Sequence, residues 1–291
     1  MKKLFYVVLL LLSLVVESSL AQSFRNNKND PFRSSQAFIG LFGGANFSSP
    51  FLVNSFSDFS SIDDQETGMI DDEKIYSDLL KNPGMNFGIS GVFAFNRFFS
   101  IAISPAYQGV QYRYESRFIW EGVESPDNYL EYTIGHQQQL HYLSLPLIFR
   151  YSPIGKKLRP YLQAGIHYDR LLNAQKVVTT QGLDRASGSE VLFENSPQST
   201  DISGLYIKSH FGLLAGAGFT YNMGTLLLFM DGQYRYGMHT VTNAKTRYSG
   251  SRDIPGFGNV LDDVSLRNLQ ISIGCYFPLK FLTKDFSPVI L

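Results

Sequence analysis

Eight stretches of this sequence alternate apolar with small or polar residues at period two, and the segments joining them alternate between short and long. Period two is the signature of a strand with two unlike faces. The expected strands are 37–47, 85–95, 98–116, one within 131–151, 160–173, 205–221, 225–240 and 264–277. On the fifth, Leu162, Ala164, Ile166 and Tyr168 fall on one face, and Gln163, Gly165, His167 and Asp169 on the other. On the seventh, Leu226, Leu228, Met230, Tyr234 and Tyr236 oppose Asp231, Gln233 and Arg235. The joins at Asn96-Arg97, 152–159 and 222–224 are short, whereas 48–84, 119–130, 176–204 and 241–263 are long and polar. A soluble sandwich has no reason to sort its loops this way. Short turns at one end and long loops at the other fit an all-β fold, an eight-stranded antiparallel transmembrane β-barrel with long extracellular loops. No stretch beyond the N-terminus is apolar enough for a helical span, and in lipid only helices and closed barrels satisfy their backbone groups.

The ends and the composition fit the same reading. Lys2 and Lys3 precede an apolar run from Leu4 to Val16, and Ser19-Leu20-Ala21 supplies small residues for cleavage. Residues 1–21 are therefore expected to be a signal peptide, 22–36 a flexible segment, 37–277 the barrel and 278–291 a C-terminal tail. The apolar run is short for a membrane anchor, and no Cys follows it to take a lipid. The 24 Phe and 17 Tyr suit aromatic girdles where a lipid-facing wall meets the headgroups. Twenty-five basic and 25 acidic residues cancel, which gives no reason to expect nucleic-acid binding. One Cys, Cys275, excludes an intramolecular disulfide.

The segment Leu143-Ser144-Leu145-Pro146-Leu147-Ile148-Phe149-Arg150-Tyr151, followed by Arg159-Pro160-Tyr161-Leu162-Gln163-Ala164-Gly165, resembles the PorT-type outer-membrane β-barrel family. There a strand of the form L-x-[IL]-P-L-L-x-[KR]-Y leads into K/R-P-Y-x-x-x-G. The opening Gly40 to Ser48 is similar to that family's first strand, and Asn268 to Phe277 to its last. The resemblance implies an outer-membrane location and, through the family's namesake, a part in protein export by the type IX secretion system. One departure is that the chain runs on past Phe277 to Leu291, so Phe277 or Phe281 would be an internal form of the aromatic signal that usually ends such barrels. Independently of the resemblance, Pro146 cannot donate a ladder hydrogen bond, so a bulge or register break is expected beside it.

Candidate chemistry is sparse. Arg150, His167, Asp169, Asp231 and Arg235 share the predicted inner side and are expected to form a lumen polar network. An unpaired buried charge is costly, so this is either a plug of ion pairs or a proton or ion path. The five His show no metal-ligand spacing, and no metal or cofactor is expected. A lipid A-modifying enzyme would need a His/Ser/acid set. His141 with Ser144 and His210 with Ser209 both have opposite strand parity, and no supporting acid is apparent. The acidic stretch Asp63, Asp64, Glu66, Asp71, Asp72 and Glu73 reads as a solvated loop or an ion site, with a helical turn expected over 73–80. Tyr112, Tyr114, Phe118, Trp120, Tyr129 and Tyr132 read as an interfacial belt or as a partner- or glycan-binding surface. The reading that results is a non-enzymatic outer-membrane barrel in contact with outer-membrane lipid, acting as a component of an envelope or secretion assembly with other envelope proteins as partners. A small porin or ligand-binding barrel is the alternative, and a lipid A-modifying enzyme a third.

Overall fold

The computed structural model describes residues 35–56, 71–121, 129–155, 157–185, 189–247 and 260–279. The expected signal segment, the tail beyond 279, and Asp63, Asp64 and Glu66 lie outside them. The strands are β1 (Gln36–Asn54), β2 (Asp71–Tyr76), β3 (Pro83–Ala94), β4 (Phe99–Ile103), β5 (Ala106–Glu121), β6 (Tyr129–Tyr151), β7 (Leu158–Asp184), β8 (Val191–Asp201), β9 (Ser209–Asn222), β10 (Leu227–Gly237) and β11 (Asp263–Leu279).

All pairings are antiparallel, and β1 pairs with β11, so the sheet closes on itself. The ring is β1, β3, β4 with β5, β6, β7, β9, β10 and β11, which makes eight staves. Strands β2 and β8 are additions outside the ring, paired to β5 and β7. Closure has a measurable stagger. The ladder runs from Ala37 through Phe93, Ile101, Phe149, Ala164, Ala215, Tyr234 and Leu269, and returns to β1 at Phe47, ten residues further on. Eight strands with that stagger tilt by about 40° and put the backbone on a cylinder of about 8 Å radius. Side chains alone fill such a cylinder.

Outside, the wall is apolar. Leu41, Ile89, Ile103, Leu145, Leu162, Leu213, Met230 and Ile273 point outward and are exposed. The span from Phe211 to Tyr221 along tilted β9 is about 25 Å high, which matches a lipid-facing band. Exposed Phe95, Phe98, Tyr151 and Tyr221 mark its short-turn edge, and Phe87, Tyr107, Tyr168 and Tyr234 its long-loop edge. Turns at the first edge are tight: Gly224 takes φ 97° between β9 and β10, and Asn222 Oδ1 accepts the Gly224 amide at 2.8 Å.

Three features depart from the sequence reading. The third stave is interrupted at Ser104-Pro105. Pro146 lies opposite Ser104, whose amide donates to the Pro146 carbonyl at 3.3 Å; the return bond lacks a donor. Pro105 faces the other way and accepts from Ile89 at 3.0 Å, again without a return bond. The register nevertheless runs through unshifted, so Pro146 thins the ladder without breaking it. The shift on β6 sits at His141/Tyr142, where Leu172 of β7 has no partner of its own. That extra residue reverses parity on β7. Below it Arg159, Tyr161, Gln163, His167 and Asp169 face in; above it Ala174, Lys176, Val178 and Thr180 do. Finally, 71–76 is a strand, and the expected helical turn is reduced to a 3-10 turn at Leu79–Lys81.

Candidate functional site

Inward residues build the interior in three layers. Nearest the short turns, Phe38, Val92, Ala94, Ala102, Ile148, Leu227, Phe229 and Tyr276 pack into an apolar cluster. Phe229 and Tyr276 stack with ring centroids 4.3 Å apart. Gly40 leaves room for the Tyr276 ring, since a Cβ there would collide with it and with the Cys275 carbonyl.

The second layer is polar. The Arg150 guanidinium donates to Tyr276 Oη at 2.9 Å and to Gln163 Oε1 at 3.1 Å, stands 3.6 Å from Asp231, and lies 4.8 Å over the Tyr161 ring. Tyr161 and Gln233 donate to the two Asp231 oxygens at 3.1 and 3.4 Å. Further up, Arg235 donates to Asp169 Oδ1 at 3.0 Å, to Ser144 Oγ at 2.6 Å, and to Gln270 at 3.3 Å, and also to Gln108. His167 Nδ1 stands 2.8 Å and His210 Nε2 3.3 Å from Asp169 Oδ2. The His167 approach lacks the angle of a hydrogen bond, so it counts as an electrostatic contact. The two ion pairs share an interior in which every partner is at most about 5% exposed at the side chain. Cavities of about 20 and 30 Å³ remain between these groups, each room for a water or two.

The five residues expected to form a network thus fall into two ion-paired groups: Arg150 with Asp231, and Arg235 with Asp169 and His167. His210, Gln108, Ser144, Gln163 and Gln270 complete them. Their inward parity was readable in the sequence, but their partnership depends on the stagger between staves, which it does not give. His141 and Ser144 point to opposite sides of β6: Ser144 is buried on Arg235, and His141 accepts or donates with Tyr107 Oη on the outside at 2.6 Å.

The third layer lies beyond the apolar band, at the long-loop end. Val110, Tyr112, Tyr114, Leu140, Tyr142 and Leu266 from the staves close over Ile202, Leu205, Tyr206, Val241 and Leu261 from the loops. Tyr112 and Tyr206 share a hydrogen bond at 2.6 Å, and Tyr206 donates to Gln138 at 3.3 Å. Tyr112 and Tyr114 are therefore core residues of a cap and take no part in a lipid belt, because strand parity turns them inward. Loop and wall are pinned by Asp262. It accepts from Tyr76 at 2.5 Å, from the Phe56 amide at 2.8 Å and from Lys74 at 3.2 Å. Burial and then Asp262 hold the Tyr76 phenol far above its ordinary range. His136 stacks on Tyr114 at 4.4 Å; burial, then Lys176 and Lys74, push its imidazole down to about 2.

A closed eight-stave wall with a lipid-height band, a filled polar lumen and a cap over sorted loops is the geometry of an outer-membrane barrel. The family model described as outer membrane protein beta-barrel domain matches residues 20–243. The chain belongs to that family. This β-barrel therefore sits in the outer membrane with its wall in lipid, its long-loop end outward and its short turns in the periplasm. It is similar to the outer membrane protein OprG from Pseudomonas aeruginosa at 15% identity, over 85% of this chain and 97% of that one, with a TM-score of 0.35. It is similar to Ail, the attachment invasion locus protein of Yersinia pestis, at 13% identity, over 83% and 99%, with a TM-score of 0.31. Neisserial surface protein A is similar at 12% identity, over 84% and 99%, with a TM-score of 0.32. No curated protein matches the sequence.

Proposed function

We propose that this barrel is a non-conducting, non-enzymatic component of an envelope assembly, and that its working surface is the extracellular crown of β2, β5, β6, β7 and β8 with the cap beneath it. The observation that carries this is the blocked lumen. Apolar cluster, ion-paired layer and tyrosine cap lie in series across a cylinder of about 8 Å radius, and the cavities of about 20 and 30 Å³ among their described residues hold a water or two each. A diffusion pore needs a continuous aqueous path, and a lumenal ligand needs a cavity of hundreds of Å³. The PorT-type pattern from Leu143 to Gly165 supports the finer reading, a part in type IX protein secretion. Its motif residues split in role, Leu145 and Leu147 facing lipid while Ser144, Arg150, Tyr161 and Gln163 hold the lumen.

Two measurements test this. In planar bilayers the folded barrel is expected to show no discrete conductance steps; regular steps in symmetric salt would refute the plugged reading. Deleting the gene in its native host and comparing secreted proteins should reveal lost exports; an unchanged secreted proteome would remove the secretion role while leaving the closed barrel intact.

A further inference from the structure

Charge on the outer wall is sorted just above the upper aromatic edge. Taking Phe87, Tyr107, Tyr168, Tyr234 and Leu269 as that edge, the next four residues upward on each stave present outward His141, Arg170 and Arg267, and among the described residues no outward Asp or Glu. Asp169, the nearest acid in sequence, points into the lumen. Arg170 and Arg267 each stand two residues above the edge, about 5 Å higher along a stave tilted by about 40°.

Both arginines are placed for a partner that the described residues do not supply. Arg267 lies flat over the outward Phe51 ring at 3.7 Å and 5.6 Å from the outward Tyr236 ring, with its Nε buried and undonated. Its register partners are Ser49 and Tyr236, and among the described residues no carboxylate faces it. Arg170 is exposed between Leu143 and Ser209 on the neighbouring staves. It has no ion pair or hydrogen bond among the described residues. Beside Arg170 on the neighbouring stave β6, His141 is anchored to Tyr107, which stacks on Phe87 at 5.0 Å. A guanidinium fixed on aromatic faces at the top of a lipid-facing wall presents its N–H groups sideways, at the depth of the headgroups. A stem that lies along apolar surface with the charged head at the interface is the favourable arrangement for such a residue.

We infer that this rim binds the phosphate groups of the outer-leaflet glycolipid, with Arg170 and Arg267 as two separate phosphate ligands on opposite sides of the barrel. The inference rests on the outer-membrane location and is independent of what the crown does. Charge complementarity and continuity with the lipid-facing wall select lipid over a soluble partner, because a soluble protein cannot reach residues level with the headgroups.

The test uses the full-length folded barrel in detergent and native mass spectrometry, with bis-phosphorylated lipid A and fully dephosphorylated lipid A as probes. The wild type should retain the phosphorylated lipid with a preference of about fivefold at each site, from one basic contact at the interface. The Arg170→Gln/Arg267→Gln double variant should bring that preference close to one. The Arg170→Lys/Arg267→Lys double variant, which keeps the charge, should retain most of it. Heat-modifiable gel migration shows that each variant is folded. Equal retention of both lipids by the wild type, or an undiminished preference in the glutamine variant, would overturn the assignment, as would loss of the preference on adding millimolar inorganic phosphate alone.

Discussion

Replacing Asp169 by Ala removes the only carboxylate among the described residues that pairs with Arg235. In the wild type Arg235 donates to Asp169 at 3.0 Å and to three neutral acceptors, Ser144, Gln108 and Gln270, with both charged side chains about 3% exposed. Removing one partner of a buried pair costs about 3–5 kcal/mol, because the surviving charge stays desolvated. Two features place this barrel at the lower end. The three neutral acceptors remain, and the cavity of about 20 Å³ against Arg235, Ser144 and Gln108 can admit a water to the vacated space. The expected loss is about 3 kcal/mol. Urea titration of the barrel in liposomes, read by tyrosine fluorescence and by heat-modifiable migration, measures it. The cycle is closed with Arg235→Met and the double variant. The double variant should be more stable than Asp169→Ala alone, since no charge is then left buried. A loss under about 1 kcal/mol, or a double variant whose loss equals the sum of the singles, would refute the account of the lumen as an ion-paired plug.

Gly40→Ala should cost about 1–3 kcal/mol in the same titration, since the added methyl meets Tyr276 and the backbone of β11 at the closing seam. Met230→Arg, halfway down the lipid-facing wall, should cost about 2–4 kcal/mol in liposomes, and a neutral result would place the membrane elsewhere on the wall. His136 is neutral in the closed crown down to about pH 2, whereas the opened crown takes up a proton below about pH 6.5. Crown stability is therefore flat above pH 6.5 and falls as pH drops through the window below it, by about 1.4 kcal/mol per unit. Amide exchange of 130–142 between pH 7 and 4.5 reads this, and His136→Asn should flatten it. Deleting Leu172 removes the surplus residue and leaves Asn173 opposite His141, so Ala174, Lys176 and Val178 stay inward; the crown should then resist protease as the wild type does, and a crown that is cut would refute the bulge as a one-residue insertion.

The staves were legible because lipid on one side and a narrow interior on the other impose a strong two-residue period. Leu143, Leu145, Leu147, Phe149 and Tyr151 are all outward, and Ser144, Ile148 and Arg150 inward. Above the membrane that constraint ends. Both faces of β8 are water-compatible, so Val191–Asp201 carries no period and reads as loop. Tyr112 and Tyr114 looked like belt residues because tyrosine suits an interface as well as a buried cap; only parity carried past Tyr107 separates the two. The reversal on β7 was unreadable for a different reason. A bulge is written as one surplus residue, and Leu172 is apolar like its neighbours. For the lumen, side was legible and partnership was not. His167 and Asp169 share a strand and meet, but Arg235 reaches Asp169 across β9, and Arg150 reaches Asp231 across two intervening staves.

The join of β1 to β11 has a consequence in time. Ala37 pairs with Leu279, so the two ends of the described chain are sewn to each other along the full height of the wall. Every other seam joins segments made close together; this one waits for the last strand to be delivered. Until then two unpaired edges face lipid, where bare amides and carbonyls have no water to bind. The half-built wall must be held by something that lends it an edge, and the barrel becomes self-sufficient only when the newest strand meets the oldest.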